Sequence, residues 1–244
     1  MATPARLLDR LPPALVRTLK PRPAERFLGP APLGFGIDGL DAVLPEGGLL
    51  RGAVIELALS EGAPGTTLAL SLCRTLQREA SRQGRELPWC AFVDPGGTLH
   101  APGVVEAGVR LDHVLVVRPP LEALERTACR LAHSIAFELV LVDMVGVPGG
   151  SLRVPLRAWP RTARKLAMEV EGTNRTVILL TSAGAARPLP LPVAQRLEVT
   201  RPALDRLVVR VAKDRHGRIS QPRSVAWTRA ESSQQPEEWP ARVG

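Results

Sequence analysis

The chain alternates between short, continuous apolar runs and longer segments with helical spacing. The apolar runs, each typical of a strand, occupy residues 53–59, 88–94, 113–117, 139–143 and 176–181. Between them lie predicted helical segments at residues 66–81, 121–136 and 161–171, with a short helical piece near residues 104–107. Strands that are apolar throughout are typical of a sheet covered on both faces. This order predicts right-handed βαβ units and a parallel sheet.

The pattern changes after residue 191. Residues 195–200, 205–213 and 223–228 alternate between apolar and polar positions with no helix between them, which predicts antiparallel strands. Residues 214–217 (DRHG) fit a turn between the last two. The predicted fold is therefore α/β: a mostly parallel, twisted sheet flanked by helices, with an antiparallel C-terminal extension.

Three segments differ in composition and define the predicted domains. Residues 1–33 form an N-terminal arm, which within residues 1–30 contains six prolines and six basic residues against two acidic ones. Such an arm is too small to fold alone, and we expect it to pack on the body of the protein or on a partner. Residues 34–229 form the core, and the polar residues 230–244 are predicted to be a disordered tail.

The length of 244 residues suits a single core domain. No uninterrupted apolar run approaches the ~20 residues needed to cross a bilayer, and the N-terminus lacks the apolar segment of a secretory signal. Cys73, Cys90 and Cys129 form no C-x-x-C pair, so we interpret them as small hydrophobic residues in a reducing compartment. We therefore expect a cytoplasmic protein without a metal or other cofactor.

The chain is strongly basic, with a formal net charge of +8. A polyanionic partner such as nucleic acid is one interpretation. The alternative is a compositional bias toward Arg, Ala, Pro and Gly, which the 24 prolines and 21 glycines also fit. Charge alone leaves both interpretations open.

The basic residues are concentrated within residues 151–165, which include no acidic residue. Five cations form this candidate DNA-binding segment: Arg153, Arg157, Arg161, Arg164 and Lys165. Trp159, in their midst, is a candidate platform for stacking a base. The alternative is an ordinary basic helix start in which Trp159 is a packing residue. Phosphate contacts of this kind predict weak, sequence-independent binding that falls steeply with salt.

Residues 52–68 have the layout of a phosphate-binding loop, with an apolar strand, a turn and a helix. The motif G-x-x-x-x-G-K-[ST] places its Lys on the β/γ-phosphates and uses its glycines to turn backbone N–H groups inward. Here Gly65 stands in the place of the Lys and Leu59 in the place of the first Gly. Pro64 removes a further backbone donor.

Other parts of the loop remain. Gly62 lies in the turn, and Thr66 and Thr67 keep the hydroxyl position that would hold Mg²⁺. We interpret the scaffold as a nucleotide-binding domain that has lost its nucleotide chemistry. The alternative is an unconventional loop that still works.

Taken in order, several segments resemble the core of bacterial RecA-type recombinases. They are residues 36–48 (GIDGLDAVLPEGG), 51–56 (RGAVIE), 137–143 (FELVLVD), 161–170 (RTARKLAMEV) and 174–181 (NRTVILLT). The likeness extends over about residues 34–228. It implies a RecA-like core.

Within that superfamily the chain most resembles the ImuA family, which are short RecA-like proteins associated with damage-induced mutagenesis. Residues 44–52 (LPEGGLLRG), the altered phosphate loop and residues 107–119 carry this likeness. The family is thought to act beside a catalytically inactive Y-family polymerase homologue (ImuB-like) and a specialised replicative-type polymerase. The resemblance implies these partners for this chain.

The resemblance also implies where catalytic groups should stand. Asp143 ends its strand at the position of a Mg²⁺-associated acid, although an Asp there is equally suited to capping the next turn. The catalytic Glu would fall near Gly96, and the polar sensor would fall at residues 181–183, where the amide side chain is missing. Because Gly65 also replaces the Lys, we expect no ATPase activity.

Lys213 and Arg215 resemble the short basic motif through which one recombinase protomer reaches the nucleotide bound by its neighbour. If they alternate on a strand end, both side chains can point the same way. A protein with these cations but no working site is expected to cap or destabilise a recombinase filament. The alternative is two solvated charges at a hairpin.

The leading hypothesis is a non-catalytic RecA-like accessory protein of the DNA damage response and translesion mutagenesis, in the cytoplasm at the nucleoid. It would bind a RecA-type recombinase or the polymerase partners, and single-stranded DNA weakly. A divergent ATP-dependent recombinase or ATPase is the second hypothesis, with Lys165 or Lys213 reaching the loop. A SulA-type cell-division inhibitor is the third, which the basic arm and the basic residues 151–165 disfavour.

Overall fold

The computed structural model of this protein describes residues 30–146, 152, 154–185 and 190–227. The predictions for residues 1–29 and for the tail at residues 230–244 lie outside these ranges. The described residues from Pro32 onward belong to one compact unit. Within them, no helix combines the length and the apolar character that crossing a membrane requires.

One sheet contains all eight strands that are described. Their bounds are β1 (Val54–Leu59), β2 (Trp89–Val93), β3 (Val114–Val117), β4 (Phe137–Asp143), β5 (Thr176–Ser182), β6 (Gln195–Ala203), β7 (Arg206–Asp214) and β8 (Arg223–Ala226). Each of the first five lies within two residues of a predicted apolar run. These runs form strands because their side chains are apolar on both faces of the sheet.

The strand order is β3-β2-β4-β5-β1-β6-β7-β8. Every pairing from β3 across to β6 is parallel, and β7 and β8 then continue the sheet in antiparallel pairs. The predicted α/β fold is confirmed, including its antiparallel C-terminal extension. β1, β4 and β5 are central, and all six residues of β1 are buried.

Helices cover the parallel part of the sheet. The α-helices are α1 (Asp38–Asp41), α2 (Gly65–Arg82), α3 (Ala101–Glu106), α4 (Leu124–His133) and α5 (Trp159–Val170), and 3₁₀ turns span Pro45–Gly47, Leu111–His113 and Leu121–Ala123. The helix predicted at residues 121–136 was too long. It begins as the 3₁₀ turn and ends at His133, because Ser134 takes an extended backbone with ψ 125°.

The two faces of the sheet form separate apolar clusters. Ile55 and Leu57 of β1 share one cluster with Leu72 of α2. Val54, on the other face of the same strand, shares the second cluster with residues of α4 and α5, including Leu166. Because β1, β4 and β5 run parallel between these layers, their carboxyl ends meet at one edge of the sheet.

Candidate functional site

A cleft of about 700 Å³ lies at that edge of the sheet. It brings together the six residues that the sequence predicted for the altered nucleotide loop: Gly62, Pro64, Gly65, Thr66, Thr67 and Asp143. Their grouping follows from the topology, since β1 leads into the loop and β4 ends at Asp143 two strands away. The roles assigned to them remain predictions.

Several backbone N–H groups of the loop after β1 already donate to carbonyl oxygens of the loop itself or of β6. The Ser60 N–H donates to Val199 O at 2.9 Å, and the Ala63 N–H donates to Ser60 O at 3.1 Å. The Gly65 N–H, the first of α2, donates to Ala63 O at 2.9 Å. Pro64 has no N–H to offer. The N–H groups of Ser60, Ala63 and Gly65 thus already have acceptors within the fold.

Leu59 lies directly against Gly65. A Cβ atom placed on Gly65 would be 3.6 Å from Cγ and 3.8 Å from Cδ2 of Leu59, and it would overlap Cδ1. The position that would carry the Lys side chain is thus occupied by the residue that replaces the first Gly of the motif. The sequence identified both replacements but not their contact.

Asp143 is buried and is bound by the turn that follows it. Its Oδ1 accepts hydrogen bonds from the N–H groups of Val145 at 2.9 Å and Gly146 at 3.0 Å. The Thr98 hydroxyl lies 3.4 Å from its Oδ2. These are the contacts of a turn cap, and the role of Asp143 as a Mg²⁺-associated acid stays a prediction.

Asp94 directly follows β2, the strand next to β4, and its carboxylate also binds the turn that comes after it. Its carboxylate accepts from the N–H groups of Thr98 at 2.9 Å and Leu99 at 3.0 Å. Nε of Arg118 lies 3.4 Å from the same carboxylate, and the Arg118 guanidinium also donates to Leu99 O at 2.7 Å. These contacts fix the turn that contains Gly96.

Leu152 packs over the place where the catalytic Glu was expected. A Cβ atom on Gly96 would lie 3.5 Å from Cδ2 of Leu152, and one on Gly146 would lie 3.1 Å from the same atom. An apolar side chain therefore faces both turns. Leu152 has no counterpart in the sequence prediction.

The described lining residues carry negative charge and no positive charge. Glu61 and Asp143 are their only ionisable side chains. Neither Lys165 nor Lys213, the two cations that the ATPase hypothesis would bring to the loop, belongs to this lining. Hydroxyl groups of Ser60 and Ser182 complete the polar part of the wall.

Sequence reasoning placed the sensor position at residues 181–183, which include Ser182 at the end of β5, but it missed Leu180 beside them. Its signal was available in principle, since the apolar run at residues 176–181 ends at the same edge of a parallel sheet as β1 and β4. The sequence did not show which strand would lie next to β1. β5 pairs with β1 in parallel, with Leu59 opposite Ser182.

The candidate DNA-binding segment begins before α5 and continues into its first turns. Arg157, Arg161, Arg164 and Lys165 are exposed, and Arg153 lies outside the described residues. The structure contradicts the prediction for Trp159, which is 1% exposed and packs in the apolar cluster beneath α5. A ring in that position has no open face for a nucleobase.

The end of β7 separates Lys213 from Arg215. Lys213 belongs to β7 and is half-buried, whereas Arg215 follows the strand and is exposed. The Arg215 N–H donates to Ala194 O at 2.7 Å, and residues 214–217 form the predicted turn, with Gly217 N–H donating to Asp214 O at 2.9 Å. Because the strand ends at Asp214, the alternation of side chains along a strand does not extend from Lys213 to Arg215.

The thiols of Cys73 and Cys90 are buried, whereas Cys129 is half-buried. A hydrogen bond with Cys73 and burial raise the pKa of Cys90 well above its usual range. Protonated, buried thiols are inert. In the part of the chain that is described, no group of three or more His, Cys, Asp or Glu residues is placed to hold a metal ion.

No model of a known protein family matches the chain. It is 32% identical over 155 residues to Protein RecA of Delftia acidovorans, covering 58% of this chain and 40% of that protein. Protein RecA of Bordetella petrii is 32% identical over 155 residues, covering 58% and 41%. Protein RecA of Pseudomonas putida is 32% identical over 169 residues, covering 64% and 45%. The chain therefore spans less than half the length of these relatives.

Proposed function

From this partial homology to RecA, which supports a RecA-like family, we propose that the protein is a non-catalytic accessory protein of DNA repair. We further propose that it is of the ImuA type and acts in the damage response and translesion mutagenesis. It binds partners through a RecA-like core and does not hydrolyse ATP. Each part of this proposal rests on a different region of the molecule.

The chemistry of the cleft is the observation that carries the proposal. A triphosphate needs cations and free N–H donors to offset its charge. The described lining of the cleft instead presents Glu61 and Asp143, and the backbone N–H of Gly65 already has an acceptor in Ala63. Polyphosphate would therefore meet two carboxylates and no cationic side chain among the described lining residues.

The water-activating position supports the same proposal. Gly96 provides no carboxylate, and Leu152 packs against it. Oδ1 of Asp143 already accepts two backbone hydrogen bonds from the turn that follows it, so this oxygen has a structural role. A hydrolysing site would need a carboxylate in place of Gly96.

Contact with DNA is proposed through the exposed cations of α5 and the segment before it. Arg157, Arg161, Arg164 and Lys165 lie within about two helical turns, which suits contacts with successive phosphates. With Trp159 buried, no stacking on that ring contributes. We therefore expect binding that is weak, indifferent to sequence and sensitive to salt.

A RecA-type recombinase is the proposed protein partner, contacted through Lys213 and Arg215 at the end of β7. The ImuB-like polymerase homologue and the replicative-type polymerase are proposed from the resemblance of the sequence. A protein that engages one end of a filament, but offers no working nucleotide site to the next protomer, blocks growth at that end. This mechanism accounts for a cap or destabiliser.

The test uses filaments of a RecA-type recombinase assembled with ATP on single-stranded DNA. Adding the full-length protein at a small fraction of the recombinase concentration is expected to shorten the filaments and to reduce the recombinase's ATP hydrolysis, because few ends need to be occupied. Filament length is read by electron microscopy and hydrolysis by phosphate release. Unchanged filaments at equimolar protein would contradict the proposed action on the recombinase.

A further inference from the structure

We propose that Leu59 keeps a phosphate-binding Lys out of the cleft, because its side chain fills the space where a side chain at position 65 would begin. This inference rests on the proposed loss of nucleotide binding and gives that loss a steric cause. The replacement of the Lys by Gly65 and the replacement of the first Gly by Leu59 are then one linked change. While Leu59 keeps its present side-chain conformation, only glycine fits at position 65.

The contact geometry supports the link. The three heavy atoms nearest to a Cβ on Gly65 all belong to Leu59. Gly65 has no positive φ and begins α2, so its backbone is one that any L-residue can adopt. The obstacle to a side chain at position 65 is therefore Leu59 and not the conformation of the loop.

Leu59 is held in this position from several directions. Its carbonyl accepts a hydrogen bond from the Ala183 N–H at 2.8 Å, and the next N–H, of Ser60, donates to Val199 O at 2.9 Å. The side chain is 3% exposed and belongs to the apolar cluster beneath α2. Its apolar neighbours restrict the ways in which this side chain can turn, and the open side is the cleft, which Leu59 also lines.

The consequence is specificity through exclusion. A Lys introduced at position 65 would have to start inside the volume of the Leu59 side chain, so that it could not extend into the cleft toward a phosphate. Removing the Leu59 side chain opens that volume at the carboxyl end of β1. The cleft of wild-type protein is thus closed to a phosphate-binding side chain as well as lacking one.

A double-mutant cycle on thermal unfolding tests the contact directly. Gly65→Ala is expected to lower the unfolding midpoint by about 2–6 °C in wild-type protein. In a Leu59→Ala background the same substitution is expected to leave the midpoint unchanged or to raise it, because Ala is the better helix former. Gly62→Ala is the control in the loop, since a Cβ there meets nothing within 4 Å and the strain that its positive φ imposes on Ala does not involve Leu59. Its effect should be equal in both backgrounds.

Equal effects of Gly65→Ala in both backgrounds would overturn the proposal. A second experiment titrates fluorescent ATP with Mg²⁺ into Gly65→Lys and into Leu59→Gly/Gly65→Lys. The double variant is expected to bind at least ~10-fold more tightly, since only there can the Lys reach a phosphate. A double variant that binds no better than Gly65→Lys, including no binding by either, would also overturn it. Binding by wild-type protein would instead count against the proposed function and would leave the cycle as an independent result.

Discussion

The buried carboxylate of Glu56 on β1 lies 3.2 Å from Nη1 of Arg196 on β6. The Thr181 hydroxyl of β5 donates to the same carboxylate at 2.7 Å, so three adjacent strands meet at one charge. Nε of Arg196 also lies 3.4 Å from Glu198. The pair therefore ties the parallel part of the sheet to its antiparallel extension.

Removing one member of this pair is expected to be costly. Arg196→Ala removes a cation from a buried carboxylate and should reduce the free energy of unfolding by about 3–5 kcal/mol. Replacing both members, as in Glu56→Gln/Arg196→Met, should cost less than the single change, because no buried charge then loses its partner. Urea denaturation followed by circular dichroism measures both.

The control for this prediction is Arg210→Ala. Arg210 pairs with Glu198 at 3.4 Å on the surface, where such pairs contribute about 0–1 kcal/mol. A loss at Arg210 as large as the loss at Arg196 would show that burial of Glu56 is not the cause.

Asp143 is expected to act as the cap of the turn after β4. Asp143→Asn keeps an oxygen for the N–H groups of Val145 and Gly146 and should cost less than about 1 kcal/mol, whereas Asp143→Ala leaves both without an acceptor and should cost about 1–3 kcal/mol. Thermal unfolding with and without Mg²⁺ checks the assignment. A midpoint that rises with Mg²⁺ in wild-type protein, but not in Asp143→Asn, would instead indicate a metal ligand.

The salt dependence of single-stranded DNA binding is expected to become weaker with each cation that is removed from α5. Each of Arg161→Ala and Arg164→Ala should make the negative slope of log affinity against log salt less steep by about 0.7, the value for one phosphate contact on a single strand. Arg85→Ala removes the same charge at a different site, where Arg85 lies 3.4 Å from Glu138, and should leave the slope unchanged. Fluorescence anisotropy across a salt series gives the slopes.

Trp159 separates the stacking interpretation from the packing one. Trp159→Leu keeps an apolar side chain in the cluster but removes the aromatic ring, and it should lower stability while leaving DNA affinity of the folded protein unchanged. A loss of DNA affinity that exceeds the loss caused by Arg161→Ala would restore the stacking role that its burial contradicts.

Lys213 and Arg215 are expected to carry the effect on recombinase filaments. The double variant Lys213→Ala/Arg215→Ala should leave filament length and hydrolysis as they are without the protein. Arg206→Ala/Arg223→Ala is the matched control, because it removes two exposed cations from the same extension. Equal loss of effect in both double variants would indicate net charge and not a specific contact.

The fold could be predicted because its signal is local. Continuous apolar runs identified β1, β4 and β5, and the change of pattern after residue 191 identified the antiparallel extension. The ends of helices were less well predicted, as at His133, because the residue that stops α4 does so through its backbone angles. Grouping of the loop with Asp143 followed from the rule that parallel strands end at one edge.

The contacts that define the site could not be predicted in the same way. Glu56 and Arg196 are 140 residues apart and meet only because β6 pairs with β1. Trp159 stands among basic residues in the sequence, yet it faces the sheet as the first residue of α5. The overlap of Leu59 with a side chain at position 65 depends on the backbone path of the loop. Turn residues such as Gly62 and Pro64 predict that the chain turns there but not the exact path.

The central claim is that this RecA-like core does not bind ATP. The most direct measurement is isothermal titration of Mg²⁺–ATP into the purified full-length protein, with an active RecA-type recombinase as the positive control. The account predicts no saturable heat for wild-type protein at ATP concentrations that saturate the control. Saturable, Mg²⁺-dependent binding that Asp143→Asn abolishes would show that Thr66, Thr67 and Asp143 still form a nucleotide site, and the account would be wrong.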